Sequence, residues 1–467
     1  MIRAKSVIAA AVLMAFAASA WAVEVSSVQG EATHEKEPRF DIAKQVMIFD
    51  GKEYKWTDLI EVKFRPMQAP PKDCFKIFFR NGNIIYGDVA GAAVQGVTLL
   101  LKVKSPFLGS EVVVISTDNL AGIQNLNHRV YLELACLYLM NEARRAPFRV
   151  IDVIGGRPMN AQQIQDLFNT DPDQFGPEAE NRLNDKSKSF EKYVRDEAKA
   201  AWDFMYGTKN PEVVGTIQSI ADNLDITFQN RAGKNVTGNL NDLVGLLFKA
   251  VNQPQGFGDK PYVKIVGLTG DTITGQIVSE KDGVIEIKTD VGDQSIKVPV
   301  SQIAEMVFYN GSFTFLSDLP ESAVTAIEFG DIALPGDKTS EVFSWQRDRG
   351  TMQMHPALKL GGKTYRKGIG VHSFSDLTFN VGGQYKKFRA TVGIDDNVPT
   401  PGGGNVTIEI QGDGKVLFAK TAVKTGDRPL QIDVDVTGVT NLKIVVDFGE
   451  NGFINDHCDI VNAILLK

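Results

Sequence analysis

KTYRKGIGVHSFSDLTFNVGGQYKKFRATVGIDDN, Lys363 to Asn397, joins the tightest turn chemistry in the chain to its most concentrated polar groups. Leu377, Phe379 and Val381, then Phe388, Ala390, Val392 and Ile394, recur at the period of two that places side chains on one face of a sheet. Gly382 and Gly383 supply the turn between them. Gly368, Gly370 and His372 precede the first strand and Asp395-Asp396 follow the second, so polar groups stand just beyond strand ends, where a rigid sheet carries its binding loops. Downstream, Val406, Ile408 and Ile410 alternate, Gly412-Asp413-Gly414 makes a hairpin turn, and Val416 to Phe418 return. Further alternations follow: Leu430 to Val436, Leu442 to Phe448, then Ile464 and Leu466. This spacing predicts an antiparallel β-sandwich over 312–467.

Within that stretch, KGIGVHSFS (Lys367 to Ser375), VGIDD (Val392 to Asp396), DGKVLF (Asp413 to Phe418) and DHCDIVNAILL (Asp456 to Leu466) occur in the order found in the NPCBM family. The last third of the chain resembles that family of carbohydrate-binding β-sandwich modules, which are related to the galactose-binding-domain fold and often appended to glycoside hydrolases. The resemblance implies a galactose-binding-domain-like sandwich with polysaccharide or glycoconjugate glycans as partners. Ile460 stands where the family usually has a Trp.

A sugar site needs polar side chains for the hydroxyls and an aromatic face for the C–H side of the ring. His372, Asp395, Asp396, Asp456, His457 and Asp459 are the ligand-binding candidates, with Trp345, Tyr365 and Phe374 as aromatic ones. Trp345 is assigned stacking, His372 and Asp395 hydroxyl contacts, and Asp456 with His457 contact or loop orientation. Structural alternatives stand beside these: Asp396 capping a turn, Trp345 in the core, Asp456-His457 locking the last strand. No catalytic or metal-binding set is assigned and no cofactor is expected, although oxygen-rich loops would suit a structural calcium ion.

The 467 residues exceed a single core of about 250–300, so the chain reads as multidomain. Arg3, Lys5, the apolar run Val7 to Ala18 and Ala20-Trp21-Ala22 read as a signal peptide at 1–22, and export to the periplasm, envelope or medium follows. Without it no segment reaches the roughly 20 apolar residues of a membrane span. Its removal takes two positive charges and moves the net charge from −7 to −9, a poor match for nucleic acid. Cys74, Cys136 and Cys458 make no zinc spacing, and their pairing stays open.

Residues 23–66 read as a flexible lead-in and a first strand pair. Gly82-Asn-Ile-Ile-Tyr-Gly-Asp-Val89, Gly233-Lys-Asn-Val-Thr-Gly-Asn-Leu240 and Gly270-Asp-Thr-Ile-Thr-Gly-Gln-Ile277 are alike, as are segments beginning at Asp58, Asn119 and Gln302. They predict small, strongly bent β units of about five strands at 67–126 and 261–311. Between them, 127–260 reads as mostly helical: an amphipathic helix from Pro177 to Gly207 and a second from Leu240 to Val251, with His128 the only histidine. The function implied is non-catalytic glycan binding by an exported protein. The alternatives are a glycan hydrolase with its catalytic carboxylates in 127–260, and an envelope brick whose sandwich binds nothing.

Overall fold

The computed structural model describes residues 22–126, 203–207, 213–328 and 344–467, apart from 72, 97, 110, 250, 252–254, 259, 291–294, 353–356 and 400–402. The expected signal segment up to residue 21, His128, Cys136 and most of the Pro177 helix lie outside these residues. Among the described residues helical structure is confined to single 3-10 turns.

Two five-stranded units were expected before the sandwich, and the structure has a third between them. It comprises Asp203–Gly207, Val213–Ile220, Asp225–Asn230, Asn235–Asn239 and Leu243–Leu247. The helices predicted to end at Gly207 and to start at Leu240 are therefore replaced by strands where they can be seen. Leu240, Leu243, Leu246 and Leu247 sit at three- and four-residue intervals, which suits a helix. Here Asn239 accepts from the Asn241 N–H at 3.0 Å to close a 3-10 turn, and Leu243–Leu247 continues as a strand paired on both sides. A strand buried on both faces needs no alternation, so its pattern cannot be told from a helix.

The units Phe75–Asn125, Asp203–Leu247 and Tyr262–Tyr309 share one plan. Strands follow the order fifth, first, second, third, fourth, and a 3-10 turn precedes the fifth. A register shift in each second strand bends the sheet around its own apolar face. The predicted lead-in is ordered too. Val23–Ser27 alternates buried and exposed, pairs with Gly30–His34 and Leu59–Lys63, and makes the barrel-like unit of residues 23–63. Last strands join units edge to edge: Leu120–Asn125 to Leu243–Leu247, and Leu59–Lys63 to Ile303–Tyr309. Each junction hides two strand edges that would otherwise template aggregation.

The C-terminal unit is the expected sandwich. One sheet runs Gln346–Arg347, Gly368–His372, His457–Leu466, Lys387–Ile394, Leu430–Asp435, with Phe313–Phe315 also on His457–Leu466. The other runs Val324–Glu328, Ser375–Asn380, Asn441–Phe448, Asn405–Gly412, Lys415–Lys424. Leu377, Phe379, Phe388, Val392, Ile408, Ile444 and Ile460 fill the space between. Gly382-Gly383, both at positive φ, carries the chain from one sheet to the other. Asp413 and Gly414, at φ 47° and 82°, form the hairpin turn read from the sequence. The first and fourth units are packed onto the sandwich through Ile60, Val307, Phe313, Phe315, Ile464 and Leu466.

Candidate functional site

His372 closes its strand and His457 opens the next, and the two are direct partners in the ladder. Directly opposed residues share a face, and the imidazoles meet edge to face with centroids 4.7 Å apart. This is the outer face of the sheet, and the chain folds back over it. A Cβ on Gly370 would lie 2.3 Å from the Arg349 carbonyl, so only glycine lets that segment cross. Thr351 Oγ lies 2.8 Å from His457 Nδ1 and donates to the Val371 carbonyl at 3.2 Å. His372 Nδ1 donates to the Ser373 carbonyl at 2.7 Å, which fixes its tautomer. Burial lowers both histidines, and the neighbouring His372 adds to the fall of His457 to about 3. The pair is neutral at physiological pH.

Asp456 points the other way and clamps three segments. Its carboxylate accepts from the Asn405 N–H at 2.8 Å and from the Ser373 hydroxyl at 2.5 Å. Asp395 donates its N–H to the His457 carbonyl and accepts twice from Asn397 at 2.8 Å. Asp459 accepts from the Lys359 N–H at 2.8 Å, which holds the hairpin Leu358–Leu360/Lys363–Tyr365 over the sheet. Asp395 Oδ2 and Asp459 Oδ1 are buried without a hydrogen-bond partner. Burial pushes Asp395 up to about 6 and Asp459 well above the carboxylate range, and the Asp395 charge adds to the rise of Asp459. Burial thus favours the protonated form of Asp459.

Five of the seven predicted residues come together as one block at one end of the sandwich, beneath its surface. Asp395 and Asp456 are 0% exposed, Asp459 1%, His372 4% and His457 7%. The other two lie apart from the block. Asp396 is exposed and accepts from the Gly361 and Gly362 N–H groups, capping the hairpin turn. Trp345 is half-buried against the edge of the core, edge to face with Phe379 at 6.4 Å, with the Arg347 guanidinium 5.0 Å from its ring centre. Tyr365 packs with Leu358, Leu360 and Val461 and receives Lys63 of the first unit at 5.3 Å. The position that differs from the family, Ile460, is fully buried between the sheets.

The exposed apolar surface at this end is one the sequence reading passed over. Phe453 and Ile454 are 49% and 57% exposed in the loop Gly449–Asn455, just before Asp456. Asn451 ties that loop down by donating to the Gly403 and Ile454 carbonyls at 3.3 Å. Gly404 lies so close that a Cβ there would meet the Asn455 carbonyl at 2.3 Å. The signal was in Gly-Glu-Asn-Gly-Phe-Ile-Asn: two large apolar residues in a turn-rich stretch with no alternation to place them in a core.

Among the described residues no group of three or more His, Cys, Asp or Glu side chains is arranged to hold a metal ion. The two orphan oxygens fall short of the six to eight that calcium takes, and the pull of burial toward a protonated Asp459 opposes a cation. Cys74 and Cys458 are free thiols, and Cys458 lies in the sandwich core. No helix among the described residues is long and apolar enough to cross a membrane.

Residues 328–466 match the model of the NPCBM/NEW2 domain. Over 197 residues the chain is 30% identical to a Renibacterium salmoninarum protein named "Putative endo-alpha-N-acetylgalactosaminidase", spanning 41% of this chain and 12% of that one. Among solved structures it is similar to CBM51 from Clostridium perfringens GH95 in complex with methyl-galactose, with 22% identity over 33% of this chain and 99% of that chain, TM-score 0.28. The CBM51-2 and INT domains of Clostridium perfringens ZmpB give 24% identity over 41% and 40% of the two chains, TM-score 0.28. A family 6 carbohydrate-binding module from Clostridium cellulolyticum in complex with xylose gives 17% over 27% and 98%, TM-score 0.16.

Proposed function

We propose, from the NPCBM/NEW2 domain that this chain carries at residues 328–466, that it is an exported protein whose C-terminal sandwich binds glycans without transforming them. The observation that carries this reading is the buried polar block under an exposed aromatic loop. His372, His457, Asp456, Asp395 and Asp459 fix the loop ends, and Phe453 with Ile454 offers the apolar face that covers one side of a sugar ring. Asp396 and Asn397 on the neighbouring loop supply hydroxyl partners. The buried residues act as posts that hold the rim, and we assign no resident cation to them.

The barrel-like units present the sandwich. Their shared apolar cluster with it, and the bonds of Arg389 to the Ser27 and Val28 carbonyls at 3.3 and 3.4 Å, favour rigid display over a loose tether. The secretory pattern of residues 1–22 supports export. The Renibacterium name speaks for a protein of which this chain spans about an eighth. The described part of 127–260, where a catalytic carboxylate pair was sought, belongs to a β unit.

A glycan array probed with the full chain tests this. Weak, saturable binding to a defined set of glycans is expected, with no release of reducing sugar from them. Absence of binding across plant, host and bacterial polysaccharides would overturn the reading, and sustained sugar release would favour the hydrolase.

A further inference from the structure

A cleft of about 230 Å³ separates the first unit from the outer face of the sandwich sheet, and it shares no lining residue with the block of histidines and aspartates. The sheet supplies one wall. Along Lys387–Ile394 the inward residues are Phe388, Ala390 and Val392, so Arg389 and Thr391 point outward. Their cross-strand partners are Asp433 and Gln431. A bulge shapes the base: Arg389 pairs with Ile464 and Thr391 with Val461, so Asn462 and Ala463 together oppose Ala390, with Asn462 at φ 47°. The first unit supplies the other wall through its hairpin and Glu61, and Ile60, Phe315 and Ile464 make an apolar floor.

Three of the four charges in this cleft, those of Arg389, Asp433 and Glu61, already have partners. Arg389 is held by Asp433 at 3.3 Å and by two carbonyls of the facing hairpin, and Glu61 lies 3.0 Å from Lys63. What remains to meet a ligand is an amide and hydroxyl wall. Thr391 donates to Gln431 Oε1 at 3.0 Å, so the Gln431 amide oxygen is engaged and its N–H groups are the donors this wall can offer. An anion would face Glu31, Glu61 and Asp433 against a single guanidinium. The volume falls below the roughly 300–1,000 Å³ of drug-sized sites, so it suits one ring.

We propose that this cleft is a second saccharide site, which takes a single neutral pyranose and bridges the first unit and the sandwich. The apolar floor covers the C–H face of the ring, and Gln431 and Thr391 bond its hydroxyls.

The test uses the full chain carrying Phe453→Ala, so that binding at the sandwich end is weakened and what remains is assigned to the cleft by its response to substitutions there. Saturation-transfer NMR and calorimetry are run with galactose, N-acetylgalactosamine, N-acetylglucosamine, glucose and xylose, and with glucuronate as the anionic control. At least one neutral sugar is expected to bind saturably while glucuronate does not. Adding Gln431→Leu or Thr391→Val should weaken that binding by about tenfold, the loss of one hydrogen bond. Both substituted positions lie outside the core clusters and each change removes only the Thr391–Gln431 hydrogen bond, so thermal unfolding should shift by no more than a few degrees. Failure of every neutral sugar to bind the Phe453→Ala protein overturns the cleft, as does binding that neither substitution alters. If wild type binds glycans and Phe453→Ala removes all of it, the cleft falls and the sandwich-end reading stands. If Gln431→Leu alone removes all binding, the cleft stands and the sandwich-end reading falls.

Discussion

Replacing Asp395 by Asn should make the protein more stable at neutral pH, although it alters a fully buried polar residue. Asp395 titrates at about 6 in the folded chain against 3.8 in an unfolded one, so between those values the native state binds more protons. Stability then falls as pH rises: the contribution is complete below pH 4 and is lost as pH passes 6. Two pK units at about 1.4 kcal/mol each give a penalty on the order of 3 kcal/mol at pH 7.5. Asp459 works in the same direction, because burial and the Asp395 charge both raise it. An amide at 395 keeps the oxygen that accepts from Asn397 and removes the charge that burial disfavours. Urea denaturation of the full chain, read by hydrogen exchange in the strand His457–Leu466, should show Asp395→Asn stabilised by about 1–3 kcal/mol at pH 7.5 and near wild type at pH 4.5. A variant less stable than wild type at pH 7.5, or a gap between variant and wild type that does not widen from pH 4.5 to 7.5, would refute the reasoning; the comparison is made against wild type because the lowered His372 and His457 pull the other way over this range.

Three further outcomes can be checked in the same denaturation series. Asp456→Ala leaves the buried Asn405 N–H and Ser373 hydroxyl without an acceptor and should cost about 2–5 kcal/mol, whereas Asp456→Asn should cost less than half of that. Trp345→Ala should cost about 2–4 kcal/mol through lost packing on Phe379 and leave glycan affinity unchanged in the folded protein, because the ring supports the core. Dialysis against EDTA at pH 7.5 should leave the transition in place; a clear fall would put a cation between the orphan oxygens of Asp395 and Asp459.

The sandwich was legible because several of its strands keep one wet face. Phe388, Ala390 and Val392 alternate with Arg389 and Thr391, and the code is unambiguous at period two. The third β unit was not legible, for the opposite reason. Leu243–Leu247 pairs on both sides and its apolar spacing fits a helix equally well, although Gly233 to Leu240 had already been matched to strand-bearing segments elsewhere. Val23–Ser27 was hidden by polar neighbours, since Glu24 and Ser26 are simply its outward residues. At the site, five of the seven residues singled out from the sequence do meet at one end of the sandwich, but beneath its surface and not on a rim. His372, Asp456 and Asp459 look like ligand groups in a linear motif. Their role as posts depends on chain that returns from far away, from Thr351 over His457 and from Lys359 onto Asp459. Trp345 was assigned to stacking because aromatic residues near polar motifs suggest sugar, yet its partner Phe379 lies in the facing sheet, beyond the reach of local spacing.

The account rests on the rim above those posts, and Phe453 is its most direct probe. Calorimetric titration of wild-type and Phe453→Ala full chains with the strongest glycan from the array measures it. The account predicts a loss of about 1–3 kcal/mol in binding with an unchanged melting profile, the cost of removing an aromatic face from an exposed loop. Equal affinity of the two proteins for that glycan would contradict it.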